Sequence, residues 1–298
     1  MRRSRALGIL GAFAAIGVVA VGLLLWRAGG DDEFSGVPAA DPGPVHVHGL
    51  GINPADGSLF IATHTGLYRV ARDARKAGRV ADRLQDTMGF TVVGRDRFLG
   101  SGHPDLNEAR DRGLPPLLGL IESTDAGESW SSVSLSGEAD FHVLRFAGER
   151  VYGYDASNDR LLVSGDRGRT WREIGKPGPL IDLAVDPADP RHIVASAASD
   201  LEQGLYASRN GGRTWARLDG PVGLLAWPAP DRLYVAAGGG LVLASRDGGR
   251  SLERRGQIGG QPAALLAHGP EELYVALHDG RIKRSTDGGS GWTLRSTP

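Results

Sequence analysis

The chain has 298 residues, 34 Lys or Arg against 35 Asp or Glu, a net charge of −1 and no cysteine. Near-neutrality without a basic stripe leaves no electrostatic case for a nucleic-acid partner. The missing cysteines exclude disulfides, thiolate chemistry, iron–sulfur ligation and a lipidated N-terminal cysteine.

Residues 1–5, MRRSR, precede ALGILGAFAAIGVVAVGLLLW at 6–26, a run of 21 residues without a charge. At 1.5 Å per residue this spans about 31 Å, the thickness of a bilayer core. Arg2, Arg3 and Arg5 lie before the span, whereas Arg27 is soon offset by Asp31, Asp32 and Glu33. The charge bias therefore predicts a single-pass signal anchor with a cytoplasmic N-terminus and everything after it outside the cytoplasm. A cleaved signal peptide and a secreted product form the alternative. Its apolar region is normally about 7–15 residues, and no clean A-x-A site precedes Trp26. Residues 27–44, RAGGDDEFSGVPAADPGP, are a polar Gly/Pro/Asp stretch expected to act as a flexible linker.

Residues 45–298 are built on a repeat. The first unit, VHVHGLGINPADGSLFIATHTGLYRV, is degenerate: LGINPADGSLFIA at 50–62 matches LAVDPADPRHIVA at 183–195. The second starts near Met88 and carries an insertion, HPDLNEARDRGLPPLLG, at 103–119. Four more start near Phe141, Leu180, Val222 and Ala263. Five units carry a turn signature: STDAGESW at 123–130, SGDRGRTW at 164–171, SRNGGRTW at 208–215, SRDGGRSL at 245–252 and STDGGSGW at 285–292. The starting serines stand 41, 44, 37 and 40 residues apart. A period near forty with short apolar runs between turns predicts an all-β propeller of four-stranded blades. Six blades account for the length; a seventh built from the insertion is the rival count. With RVADRL at 79–84 as the outer strand of the first blade, no strand is left to share between first and last blades, so closure is expected to rest on packing.

The pattern S-x-D-x-G-x-[ST]-W resembles the Asp-box (BNR) repeat of the sialidase-like propellers. Its aspartates can fold back onto turn amides, its glycines admit tight-turn angles, and Trp130, Trp171, Trp215 and Trp292 are expected to bury their rings between units. The resemblance puts these boxes between the third and fourth strands, on the face away from a ligand. They are structural on this view.

Aligning the repeats sorts the histidines. His46 and His48 begin the inner strand of blade 1 and His142 that of blade 3. His64 and His278 share one repeat position at the end of a second strand, in adjacent blades of a closed ring, and are expected to be close. His103 opens the insertion, while His192 and His268 fall on the opposite face. A His-x-His pair on a strand places both rings on one face about 6.6 Å apart along the chain. Imidazoles converging in threes or fours suit Zn or Cu, and Met88 would add a soft donor favouring copper. The candidate metal ligands are His46, His48, His64, His103, His278 and Met88; the alternative is a hydrated channel lined by histidines.

The sialidase resemblance also implies a possible glycoside hydrolase, with an arginine cluster, a Tyr–Glu nucleophile and an acid/base Asp. The N-terminal [FY]-R-I-P motif of that family is missing, and Arg145 is the only arginine near an inner-strand top. The six tyrosines fall in second or third strands, where they read as packing. Asp140, Asp155 and Asp182 are the carboxylates the repeat places toward the top, against a plainer reading as turn caps and solvated rims. Some Asp-box propellers resemble assembly factors for membrane complexes, and the insertion suits a contact loop. The expectation is a monomeric, membrane-tethered propeller whose top face recognises a protein or glycan ligand or binds Cu or Zn.

Overall fold

The computed structural model describes residues 43–198 and 203–298. The expected anchor at 6–26 and nearly all of the linker lie outside the described residues. Among the described residues, no helix is long and apolar enough to cross a membrane.

Blade 1 comprises β1 (Val47–Ile52), β2 (Leu59–Thr63), β3 (Gly66–Val70) and β4 (Gly78–Arg79). Blade 2 comprises β5 (Asp86–Gly94), β6 (Arg97–His103), β7 (Leu120–Ser123) and β8 (Ser131–Ser134). In blade 3, β9 (Phe141–Ala147), β10 (Arg150–Asp155), β11 (Arg160–Ser164) and β12 (Arg172–Ile174) follow. Blade 4 is β13 (Leu180–Val185), β14 (Ile193–Ala198), β15 (Gln203–Ser208) and β16 (Ala216–Leu218). Blade 5 is β17 (Gly223–Ala229), β18 (Arg232–Ala237), β19 (Leu241–Ser245) and β20 (Glu253–Gln257). Blade 6 is β21 (Pro262–Ala267), β22 (Leu273–Leu277), β23 (Ile282–Ser285) and β24 (Thr293–Ser296). Each blade is a four-stranded sheet in sequential order. The all-β, six-bladed expectation holds, and the insertion adds no seventh blade.

The boxes act between blades as well as within turns. In the first, Ser123 Oγ donates to Asp125 Oδ1 and accepts from the Gly127 amide, both at 2.8 Å; the Ser129 amide donates to the same carboxylate at 2.9 Å. Burial opposes ionisation of the Asp125 carboxyl, but these donors and the Ser129 hydroxyl together hold it below its ordinary range. Gly127 sits at φ 90°, and a Cβ there would come 2.4 Å from Leu67 of the preceding blade. Gly168, Gly212, Gly249 and Gly289 meet Leu120, Ile174, Leu218 and Val242 in the same way. Glycine is required because each turn is pressed onto the blade before it, which fixes blade spacing. The box tryptophans are half-buried rather than enclosed. Trp171 and Trp215 lie at blade seams and donate Nε1–H to Ser134 Oγ and Gly175 O of the preceding blade, each at 2.9 Å. An indole with a polar edge needs that partner, and the edge keeps part of the ring at the surface.

Among the described residues, blades 1 and 6 share no strand. Val47, Leu50, Leu59 and Ile61 pack with Ala264, Tyr274, Ala276 and Ile282 in one core cluster across the seam. The last strand then clasps the first blade. Arg295 donates to the carbonyls of Ala71 and Arg72 at 2.9 and 3.1 Å and also to Ala74, while Ser296 Oγ donates to Arg75 O at 2.7 Å.

Two segments depart from the sequence-based expectation. The outer strand of blade 1 shrinks to β4, and Ala81 and Asp82 leave the strand at φ 55° and 49°. Part of the insertion is helical: α1 (Leu106–Arg112) is capped by Asp105, which accepts from Asn107 N at 2.8 Å, and it stops at Gly113 with φ 63°. Asp105 before LNEARDR, Glu108 three residues on and Gly113 after it are ordinary start and stop signals.

Candidate functional site

Inner strands start at the top face, and most carry a bulge near that end. The ladder skips a residue between Val47 and Gly49 in blade 1, Thr87 and Gly89 in blade 2, and Phe141 and Val143 in blade 3. The same break occurs at Ile181 and Ala263. A bulge re-aims the extra side chain, and here it turns toward the axis. His48, Met88, His142, Ile181 and Ala263 line one cavity of about 210 Å³ at the centre of the ring.

At the mouth over blades 1 and 2, one ligand atom from each of His48, His64 and Asp86 falls within 4.8 Å of the others. The His48 and His64 rings meet edge to face at 4.3 Å between centroids. His64 Nδ1 is 2.9 Å from Asp86 Oδ1; that hydrogen bond raises the imidazole above its ordinary pKa, against partial burial. Burial, with repulsion from His64, pulls His48 down to about 4. Its Nε2 is buried with no hydrogen-bond partner among the described residues. The result is a neutral imidazole beside a carboxylate-supported one.

The structure gathers some predicted ligands and leaves others apart. His46 is exposed with φ 53°, and its ring lies 5.6 Å from that of His64. His278 is exposed and its amide donates to Gln261 O at 3.1 Å; it is outside the three-ligand group. His103 is in a neighbouring cluster: its Nδ1 is 2.9 Å from Pro116 O and its Nε2 3.7 Å from Asp140 Oδ2. His142 Nε2 is 2.8 Å from the same Asp140 oxygen. Asp86 was missed by the sequence reading. Its signal is Asp86-x-Met88, which lies in register with His46-x-His48 and Asp140-x-His142.

His192 and His268 occupy inner-strand turns away from the top face. His192 is buried against Trp227 at 4.8 Å, and His268 borders a cavity of about 620 Å³ with Asp56, Arg72 and Glu272.

The carboxylates considered for hydrolysis are buried, not solvated. Asp155 accepts from the Asp140 amide at 3.2 Å and pairs with Arg160 at 2.8 Å. Asp182 pairs with Arg145 and accepts from the Leu183 and Leu225 amides at 2.7 and 2.8 Å. Burial pushes the Asp182 carboxyl up, while Arg145 and the amides oppose it. Asp155 is held within blade 3, whereas Asp182 and Arg145 tie neighbouring inner strands together, Arg145 also donating to Leu183 O at 3.0 Å.

Comparison with known proteins gives the same scaffold. A family profile described as Sortilin, neurotensin receptor 3 (Sortilin-Vps10) matches residues 119–239. Xyloglucanase Xgh74A of Acetivibrio thermocellus is 26% identical over 170 residues, 45% of this chain and 20% of the relative. The chain thus spans about a fifth of the length of the curated relatives it matches. Among solved structures, one described as a nidogen/laminin complex superposes with a TM-score of 0.63 at 14% identity, covering 81% of this chain and 93% of that one. YCF48 bound to D1 peptide superposes at 0.52 and 15%, covering 87% and 86%. These likenesses support a BNR/Vps10-like β-propeller, and at such identities the solved structures speak to fold alone.

Proposed function

We propose that this protein is a metal-binding propeller, held at a membrane by residues 6–26 with its top face outside the cytoplasm, and that His48, His64 and Asp86 are its ligands for a divalent transition-metal ion, Zn or Cu. The observation that carries the proposal is the convergence of the three ligand atoms within 4.8 Å. Two imidazoles and a carboxylate form a set that Zn and Cu accept, with a position left for water or a further ligand. The buried, unpartnered Nε2 of His48 supports it, since such an atom is ordinarily satisfied. The low pKa of His48 also keeps its ring unprotonated through the neutral range.

The test is equilibrium dialysis of the full chain, purified in detergent without a histidine tag, against Zn(II). We expect about one tightly bound ion per chain, lost in the double variant His48→Ala/His64→Ala and kept in His192→Ala. Retention in the double variant overturns the assignment.

A second reading has its own observation. Leu106 on α1 is 82% exposed and Leu84 beside its cap is 39% exposed, and the Leu84 amide is held by Asp105 at 3.0 Å. Two presented leucines on a braced insertion suit contact with a protein segment, and two of the propellers above are described with peptide or protein partners. A glycoside hydrolase of the sialidase-like kind has less support, because Asp155, Asp182 and Arg145 are engaged between strands.

A further inference from the structure

The three-ligand group is one instance of a relation that the ring repeats. It combines the bulge residue of one blade, the residue at the top of the same blade's second strand, and the residue two before the next blade's bulge. In blades 1 and 2 these are His48, His64 and Asp86. One step round, in blades 2 and 3, the same positions hold Met88, His103 and Asp140. The correspondence is geometric as well as formal. His64 faces Asp86 at 2.9 Å, and His103 faces Asp140 at 3.7 Å. Met88 points into the central cavity as His48 does.

We infer that Met88, His103 and Asp140 form a second, softer metal site that takes a monovalent copper ion, separate from the divalent site beside it.

Three observations support it. Asp140 is only 4% exposed, and its Oδ1 is buried with no hydrogen-bond partner among the described residues. A buried carboxylate oxygen without a donor is rare unless something cationic reaches it. His103 is already oriented: its Nδ1–H donates to Pro116 O at 2.9 Å, which leaves Nε2 as the free ligand atom on the Asp140 side. His142 Nε2, 2.8 Å from the other Asp140 oxygen, is placed to hold that carboxylate in position. The exchange of His48 for Met88 then decides the metal. A thioether is a poor partner for Zn(II) and a good one for Cu(I). Binding is simple coordination and involves no electron transfer.

The inference goes beyond the divalent site and is tested apart from it with Ag(I), a redox-inert ion of the same softness. The chain contains two methionines, Met1 and Met88. In the full chain labelled with ¹³C-methyl methionine, in chloride-free buffer and detergent, the spectrum holds two methyl signals. The Met88 signal is the one missing from Met88→Leu, a change of similar volume that preserves packing. We expect one equivalent of Ag(I) to shift the Met88 signal, and Met88→Leu and His103→Gln each to weaken Ag(I) binding at least tenfold. Zn(II) uptake is expected to be unchanged in Met88→Leu, whereas Asp86→Asn loses Zn(II) and keeps Ag(I). An unmoved Met88 signal, or Ag(I) binding lost in Asp86→Asn and kept in Met88→Leu, overturns the inference. Ag(I) binding at Met88 without any Zn(II) uptake leaves it standing and removes the divalent site instead.

Discussion

Replacing His48 with glutamine tests the electrostatics of the mouth directly. A histidine whose folded pKa is depressed binds its proton more readily when unfolded, so stability is lost as pH falls through the unfolded value toward the folded one. With values of 6.5 unfolded and about 4 folded, linkage gives a loss of about 2 kcal/mol between pH 7.5 and pH 5.0. The ring is partly open to the channel, and water there screens its charge, so about 1–2 kcal/mol is the working figure. His64 acts in the opposite sense. Its pKa is raised by Asp86, so its contribution is full below 6.5 and is lost as pH rises through its folded value. The assay is urea unfolding of a 45–298 fragment at both pH values, followed by tryptophan fluorescence. Wild type is expected to lose about 1–2 kcal/mol more than His48→Gln on acidification. Equal losses in the two proteins would refute the claim that His48 is held neutral, and with it the account of a ligand kept free of protons.

The anchor is expected to be retained: the mature protein should begin at Met1 or Arg2 and stay in membranes after a high-salt wash, and N-terminal sequencing that starts near Gly30 would show cleavage instead. Trp215→Ala should destabilise by roughly 2–3 kcal/mol, below the 3–5 typical of an enclosed aromatic. Its ring is only half-buried at the blade 3–4 seam, and one hydrogen bond to Gly175 is lost with it. Zn(II) affinity per folded molecule should not change in that variant, and a loss of metal with normal folding would mean that the boxes are not purely structural.

The repeat was readable because its signals are local. A serine, an aspartate or asparagine and a glycine within five residues, followed in four of the five copies by a tryptophan, fix one turn, and five such turns at near-constant spacing fix the ring. Two local signals went unread: the Asp105 cap and Gly113 stop of α1 lay inside a segment taken as loop. Packing across seams was less legible. That Gly127 must be glycine because of Leu67, about sixty residues earlier, is a fact of the neighbouring blade. The hold of Arg295 on the carbonyls of residues 71–74 is likewise invisible in a chain read one blade at a time.

The site shows the same division. Histidine positions at strand ends could be aligned, so the candidates were found; which of them converge depends on the bulges, and a bulge leaves no fixed residue type behind. Once the bulge is placed at His48, Met88, His142, Ile181 and Ala263, the chemistry of the ring becomes graded around its axis. Blades 1 to 3 put nitrogen or sulfur donors at the bulge, whereas blades 4 and 6 put Ile181 and Ala263 there. That explains why His278 lies outside the three-ligand group although it occupies the repeat position of His64. Its own blade offers Ala263 where a ligand is needed, and the next blade offers His46 where His64 and His103 meet a carboxylate. On the proposed reading, a histidine at a strand top is a ligand only when both of its neighbours in the repeat relation also carry donors, and among the described residues His64 and His103 meet that condition.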